Sequence, residues 1–199
     1  MQPTFLEEGG ISVHQSSTTC LASHPAFTIW LTGLSGAGKS SLAQALARVL
    51  SEKACRVMVL DGDKMRSGLC SDLGFDLAAR RENIRRVAEV AKLFNNEGWI
   101  VIAALISPLR DDRLMARDIL GEQSYAEVYC KCSLQTCETR DVKGLYRRAR
   151  AGEIGEFTGI SSPYEPPFAP HLVIDTEELT LTESTEKLHR FIRARYLGN

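Results

Sequence analysis

The 199-residue chain has no lysine or arginine before Lys39, and among acidic side chains its first 38 residues hold only Glu7 and Glu8. A secretory signal needs a positive start ahead of an apolar run, and a mitochondrial transit peptide needs arginines. Residues 1–24 have neither. Long apolar runs are also missing. The longest, Trp99–Ile106, has eight residues, far below a membrane span. These absences predict a cytoplasmic protein with no membrane partner. There is no basic excess either: 24 Lys and Arg stand against 25 Asp and Glu, for a net charge of −1. That excludes a non-specific coat for polymeric nucleic acid, which binds by neutralising many phosphates. None of the six cysteines forms a CxxC pair, and no histidine lies near them at metal-ligand spacing. Cys130 and Cys132 share a face of a predicted strand. Reduced thiols in or near a core are the simpler reading for all six.

What is present describes one globular domain: 44% hydrophobic and 25% charged residues, in a length that suits a single core with a small appendage. Residues 1–24, rich in Ser, Thr, Gln and Gly, read as a loose arm, with the domain over 25–199. Apolar runs at Phe27–Thr32, Arg56–Leu60, Trp99–Ile106, Ala126–Cys132 and Leu172–Ile174 are mostly continuous, as in strands buried on both faces. Between them lie helical stripes: Leu42, Leu46, Val49 and Leu50, then Ile84, Val87, Ala88, Ala91 and Phe94, the latter ended by Gly98. Leu109–Leu120 and Leu179–Tyr196 are further candidate helices. The alternation predicts an α/β sandwich with a central parallel sheet flanked by helices. Residues 141–170 break the rhythm with four of the seven prolines and four glycines, which suits a mobile lid.

Gly33-Leu34-Ser35-Gly36-Ala37-Gly38-Lys39-Ser40 matches GxxxxGK[ST], and it lies between a predicted strand and a predicted helix. Glycines let the backbone aim several N–H groups inward as an anion nest. The helix N-terminus adds positive potential. Lys39 supplies a cation for the β/γ-phosphates, and the Ser40 hydroxyl suits Mg²⁺. The expected ligand is a nucleoside triphosphate with Mg²⁺. The loop serves NTPases, switches and kinases alike, and the short chain favours a kinase of a metabolite.

Other polar residues fall at the same sheet edge, where ligands of open α/β folds bind. Asp61-Gly62-Asp63 ends the second strand, and extended geometry would point both carboxylates to one side. Either can accept a proton from a hydroxyl or hold Mg²⁺ through water. The alternative is a plain Asp-Gly turn. Arg80 and Asn83 extend an apolar helix stripe, a costly placement unless paired, and an anionic or hydrogen-bonding ligand would pair them. Arg81, Arg85 and Arg86 read as solvated, with Glu82 and Glu89 as ion-pair partners. Ser107, before Pro108, reads as a substrate contact, as a nucleophile that carries phosphate, or as a helix N-cap. Lys143 and Arg148 open the lid segment. Phe157 in that segment reads equally as a stacking platform or as a hydrophobe docked on the core.

Taken with their neighbours, these blocks resemble the adenylyl-sulfate kinases: Thr28–Ser40, Asp61-Gly62-Asp63, Leu73-Gly74-Phe75, Arg80–Ile84, Ile106-Ser107-Pro108, Arg140–Tyr146, Phe157–Ile160 and Pro163–Pro167, in family order across about 27–175. The resemblance implies a P-loop kinase fold. It implies transfer of the ATP γ-phosphoryl group to the 3′-hydroxyl of adenosine 5′-phosphosulfate (APS), giving 3′-phosphoadenosine 5′-phosphosulfate (PAPS) and ADP. It further implies Mg²⁺ dependence and a homodimer. By matching motif, Arg66, Arg80, Asn83, Ile106 and Lys143 are implied APS contacts, with Phe75 and Phe157 on the two faces of its adenine. Asp63 is implied as base or metal-linked carboxylate beside Asp61, and Ser107 takes the position of a phosphoserine intermediate. Arg148 and the lid are implied over the ATP base. Ser41 replaces a usual Thr next to the nucleotide loop, and Leu109 a common aromatic. No sulfurylase block accompanies the kinase blocks, so a stand-alone kinase is expected. The competing readings are a kinase of another nucleotide or small metabolite, which leaves Phe75, Phe157 and the lid unexplained, and a non-catalytic nucleotide-binding module, which would not need Lys39, Ser40 and Asp63 together.

Overall fold

The computed structural model describes residues 24–198. The arm expected over 1–24, with Cys20, lies outside these residues except for His24. Five strands, β1 (Thr28–Thr32), β2 (Val57–Asp61), β3 (Ile100–Ala104), β4 (Tyr125–Lys131) and β5 (Leu172–Asp175), form one parallel sheet in the order β2-β3-β1-β4-β5. Each falls within a residue or two of an apolar run read from the sequence.

The continuity of those runs has a direct cause, because both sheet faces are covered. Along β1, Ile29 and Leu31 turn to one core while Trp30 turns to the other. Along β3, Ile100 and Ile102 face the first core, and Val101 and Ala103 the second. Alternate residues point to opposite faces, so a doubly covered strand needs apolar residues at every position. The first core is closed by α1 (Lys39–Ser51) and α7 (Leu181–Ile192), and the second by α3 (Leu77–Asn96) and α4 (Arg110–Leu120). Leu42 and Leu46 of α1 and Ile84, Val87 and Ala88 of α3 are buried as their spacing predicts. Helix α7 starts at Leu181 rather than Leu179, because Thr180 and Glu183 form a reciprocal capping box.

Three short α-helices, α2 (Gly62–Ser67), α5 (Leu134–Arg140) and α6 (Leu145–Arg150), a 3₁₀ turn at Glu122–Ser124 and a π turn at Arg193–Leu197 complete the order. Helix α6 lies inside the segment expected to be irregular. The Asp141 carboxylate accepts the N–H groups of Tyr146 and Arg147, both at 3.0 Å, and so satisfies the start of that helix.

Because all strands run the same way, their carboxyl ends share one edge. The phosphate loop leaves β1 there and packs against the end of β4. A Cβ on Gly33 would lie 2.6 Å from the Cys130 carbonyl, at a φ of +152°. We predict that Gly33→Ala destabilises the fold by roughly 1–3 kcal/mol, as overpacked sites do. Denaturant unfolding measures this, and an unchanged midpoint would contradict the close packing.

Candidate active site

One cavity of about 960 Å³ lies along the carboxyl edge of the sheet, at the upper end of the range for small-molecule sites. On the loop side it is lined by Ser35, Gly36, Gly38, Lys39, Ser40 and Ser41; on the other side by Asp61, Asp63, Arg66, Phe75, Arg80, Asn83, Ile106, Ser107, Lys143, Arg148 and Phe157. Of the site residues expected from the sequence, only Gly33, Leu34 and Ala37 are not part of its lining.

Gly36 and Gly38 take positive φ values of 78° and 79°, the region where a side chain is strained. Lys39 is buried, and its ammonium donates to the Gly33 carbonyl at 2.8 Å and the Leu34 carbonyl at 2.6 Å. Gly33 and Leu34 thus belong to the site through their backbone. Burial pushes the Lys39 ammonium down to a pKa of about 8, because desolvation disfavours its charged form.

The Ser40 hydroxyl donates to Asp61 Oδ2 at 2.6 Å. The expectation that Asp61 and Asp63 project side by side from a strand is not met. The strand stops at Asp61, whose other oxygen caps α2 by accepting the Asp63 N–H at 3.0 Å. Asp63 therefore sits in the first turn of a helix and pairs with Lys143 across the cavity mouth. Asp61 is the carboxylate beside the serine, and Asp63 the one facing the lid.

The acceptor side is built around Phe75, which is 61% exposed. The Arg66 guanidinium lies 4.5 Å from its ring centroid and donates to Gly74 O at 2.8 Å. Buried Arg80 lines the cavity and also finds hydrogen-bond partners within the protein. Its Nε donates to the Phe75 carbonyl at 2.5 Å, its other nitrogens to Glu156 O at 2.6 Å and to the Thr158 hydroxyl. It ties the Phe75 platform to the lid segment. Asn83 Oδ1 is buried and finds no partner among the described residues, so it is an acceptor available to a ligand.

Phe157 is not an exposed loop aromatic. It is buried, with the Tyr146 ring edge-on at 4.9 Å, while the Tyr146 hydroxyl donates to the Ser35 carbonyl at 2.9 Å. The lid is thereby docked on the phosphate loop, and Phe157 presents one side to the cavity. Ser107 is not a helix cap: α4 begins at Arg110 after Leu109, and Ser107 accepts instead from Trp30 Nε1 at 3.1 Å. Arg148 pairs with Glu153 at the rim. As read from the sequence, Arg85 and Arg86 pair with Glu82 outside the cavity, and Arg81 pairs with Asp112.

Sequence reasoning gave no site role to Arg140, Thr176, Leu179, Leu181 and Ser184, which also line the cavity. Arg140 bonds the Thr176 carbonyl at 2.5 Å and the Gly36 carbonyl at 3.3 Å. Thr176 directly follows the carboxyl end of β5, so the sheet-edge rule would have found it. Burial pushes the Cys130 and Cys137 thiols up to about 12, which favours their protonated form. No group of three or more His, Cys, Asp or Glu side chains among the described residues could hold a metal ion.

Residues 25–175 match the family described as "Adenylylsulphate kinase". An adenylyl-sulfate kinase of Geotalea uraniireducens is 55% identical over 172 residues, covering 86% of this chain and 83% of the relative. Among solved structures, the Mycobacterium tuberculosis APS kinase CysC in complex with AMPPNP and APS superposes with a TM-score of 0.82. It is 44% identical, and the match covers 85% of this chain and 98% of that one. A hexameric APS kinase from Thiobacillus denitrificans matches with a TM-score of 0.65 at 32% identity, over 86% of this chain and 29% of its own.

The lowered pKa of Lys39 links its proton to folding. Between about pH 8 and the ordinary lysine value of 10.5, the unfolded chain binds more protons than the folded one. Stability contributed at this position therefore rises with pH across that window and is flat below it. The unfolding free energy of the wild type minus that of Lys39→Met should climb from pH 8 to 10.5. A difference constant with pH would refute the burial effect.

Proposed function

The chain belongs to the adenylylsulphate kinase family, and from that premise we propose how its residues divide the work. It is an ATP-dependent adenylyl-sulfate kinase, transferring the γ-phosphoryl group of ATP to the 3′-hydroxyl of APS to give PAPS and ADP. The observation that carries this reading is that the phosphate loop with Lys39 and Ser40 shares one cavity with Phe75, Phe157, Arg66 and Asn83. Another metabolite kinase would need the first set and not the second.

The loop N–H groups and Lys39 hold the β- and γ-phosphates of ATP, Lys39 exchanging the Gly33 and Leu34 carbonyls for phosphate oxygens. Arg148, with the lid over 141–170, covers the ATP base. APS lies with its adenine between Phe75 and Phe157, near the Asn83 acceptor. Arg66, Ile106, Ser107 and Lys143 line the rest of its site, and Arg80 fixes the separation of the two platforms. Asp63 accepts the proton of the 3′-hydroxyl, and Lys143 keeps that carboxylate at the mouth of the cavity. Direct in-line transfer between two bound nucleotides needs no carrier. The buried Ser107 hydroxyl, held by Trp30, is a contact in this scheme rather than an intermediate.

The donor set beside the loop fits Mg²⁺: a hydroxyl and a carboxylate in contact, both hard oxygen ligands, with too few side chains for an all-protein cage. Ser40 and Asp61 would hold the ion, with Asp63 linked through water, and when bound it would neutralise charge on the β- and γ-phosphates. A homodimer in the cytoplasm completes the proposal. The hexameric relative supports self-association, and among the described residues no helix is long and apolar enough to cross a membrane.

ATP, Mg²⁺ and APS mixed with the protein should yield PAPS with matching ADP. Lys39→Ala should raise the barrier by about 2–4 kcal/mol, read as kcat in a coupled ADP assay. No APS-dependent ADP release, or better turnover of another acceptor in a panel, would overturn the reading. Phe75→Ala should raise KM for APS several-fold and leave KM for ATP unchanged; a shift in both would remove Phe75 from the APS site.

A further inference from the structure

Ser107 has a φ of +39° although it precedes proline. A following proline favours extended backbone, so this conformation is strained and persists only where its surroundings over-determine it. The residues that do so lie behind the cavity wall. Arg113 of α4 is 2% exposed. Its charge is matched by Glu127 of β4, with Nε 2.5 Å from Oε1. Its remaining nitrogens donate to the Ser107 carbonyl at 2.7 Å and the Glu165 carbonyl at 2.8 Å. From the sheet side, the Thr32 hydroxyl donates to the Ile106 carbonyl at 2.8 Å and lies 3.0 Å from the Tyr164 hydroxyl. The Glu165 N–H closes the knot on the Pro108 carbonyl at 2.9 Å.

Two buried side chains, one from each side, therefore clamp the Ile106–Pro108 turn to the returning end of the lid segment. Neither Arg113 nor Thr32 lines the cavity, while Ile106, Ser107 and Pro108 all do. A guanidinium suits the helix position because its planar fork can serve a carboxylate and two carbonyls at once; a lysine ammonium lacks that geometry.

We infer that Arg113 and Thr32 are positioning residues for the acceptor. They hold the strained Ile106–Ser107 turn, and through it the wall that APS meets; the phosphate loop touches that turn only through the long Gly33 N–H contact to the Ile106 carbonyl at 3.5 Å, and is otherwise held by β4, Tyr146 and Arg140. This inference rests on the adenylyl-sulfate kinase reading.

The experiment is steady-state kinetics on the full chain, varying APS and ATP independently, for wild type, Arg113→Lys, Thr32→Val and Thr32→Ser. Misplacing a substrate wall can cost up to about a hundredfold. We expect Arg113→Lys and Thr32→Val to raise KM for APS about tenfold or more, with KM for ATP within twofold of wild type. Thr32→Ser, which keeps the hydroxyl, should restore the APS value. Constants for APS and ATP that stay unchanged or rise together, or a Thr32→Ser variant as impaired as Thr32→Val, would overturn the inference. If Arg113→Lys fails to fold, the two Thr32 variants decide alone. A wild-type protein inactive on APS would overturn the activity itself, a result distinct from selective failure of the variants.

Discussion

The exit of β1 runs so close to β4 that Gly33 and the Cys130 carbonyl leave no room for a side chain between them. That contact fixes where the phosphate loop turns, and the rest of the pocket is arranged around it. From there the chain enters α1, which carries Lys39 back under the loop carbonyls and sets Ser40 against Asp61. Tyr146 then reaches the same loop from the lid, and Arg140 reaches it from the end of α5. The donor half of the site is thus held by backbone proximity and by groups that converge on one turn.

The acceptor half is held differently, by arginines. Arg66 and Arg80 grip Phe75, and Arg113 grips the turn that contains Ser107. A protein with a net charge of −1 can serve highly anionic nucleotides because Lys39, Arg66, Arg80, Arg140, Lys143 and Arg148 line one cavity at the sheet edge. The absence of basic residues before Lys39 belongs to the same pattern. Field at a cleft depends on local placement, whereas the overall sum governs behaviour toward long polyanions.

Much of this was legible in the sequence because the physics was local. Doubly buried strands must be continuously apolar, so all five strands stood out as runs. The glycine–lysine loop announced its own conformation. Misread residues depended on partners distant in the chain. Asp63 was expected beside Asp61, but the Asp61 side chain caps a helix that turns Asp63 toward Lys143. Ser107 had the spacing of a helix cap, and Trp30, 77 positions away, claims its hydroxyl. Phe157, left open between stacking platform and docked hydrophobe, is buried in the first core with Tyr146 edge-on to its ring. Arg80 was read as needing a ligand to pair it, and the Phe75 carbonyl, the Glu156 carbonyl and the Thr158 hydroxyl also pair it within the protein. Arg113 carried no signal, since a helix arginine looks the same whether it meets solvent or a strained turn.

The central claim is that Asp63, rather than Ser107, receives the reacting hydroxyl between two nucleotides held in one cavity. A crystal structure of the protein with ADP, Mg²⁺ and APS tests it most directly. The account predicts the APS 3′-hydroxyl within hydrogen-bond distance of the Asp63 carboxylate, with adenine between Phe75 and Phe157. A 3′-hydroxyl set against the Ser107 hydroxyl and out of reach of Asp63 would contradict it.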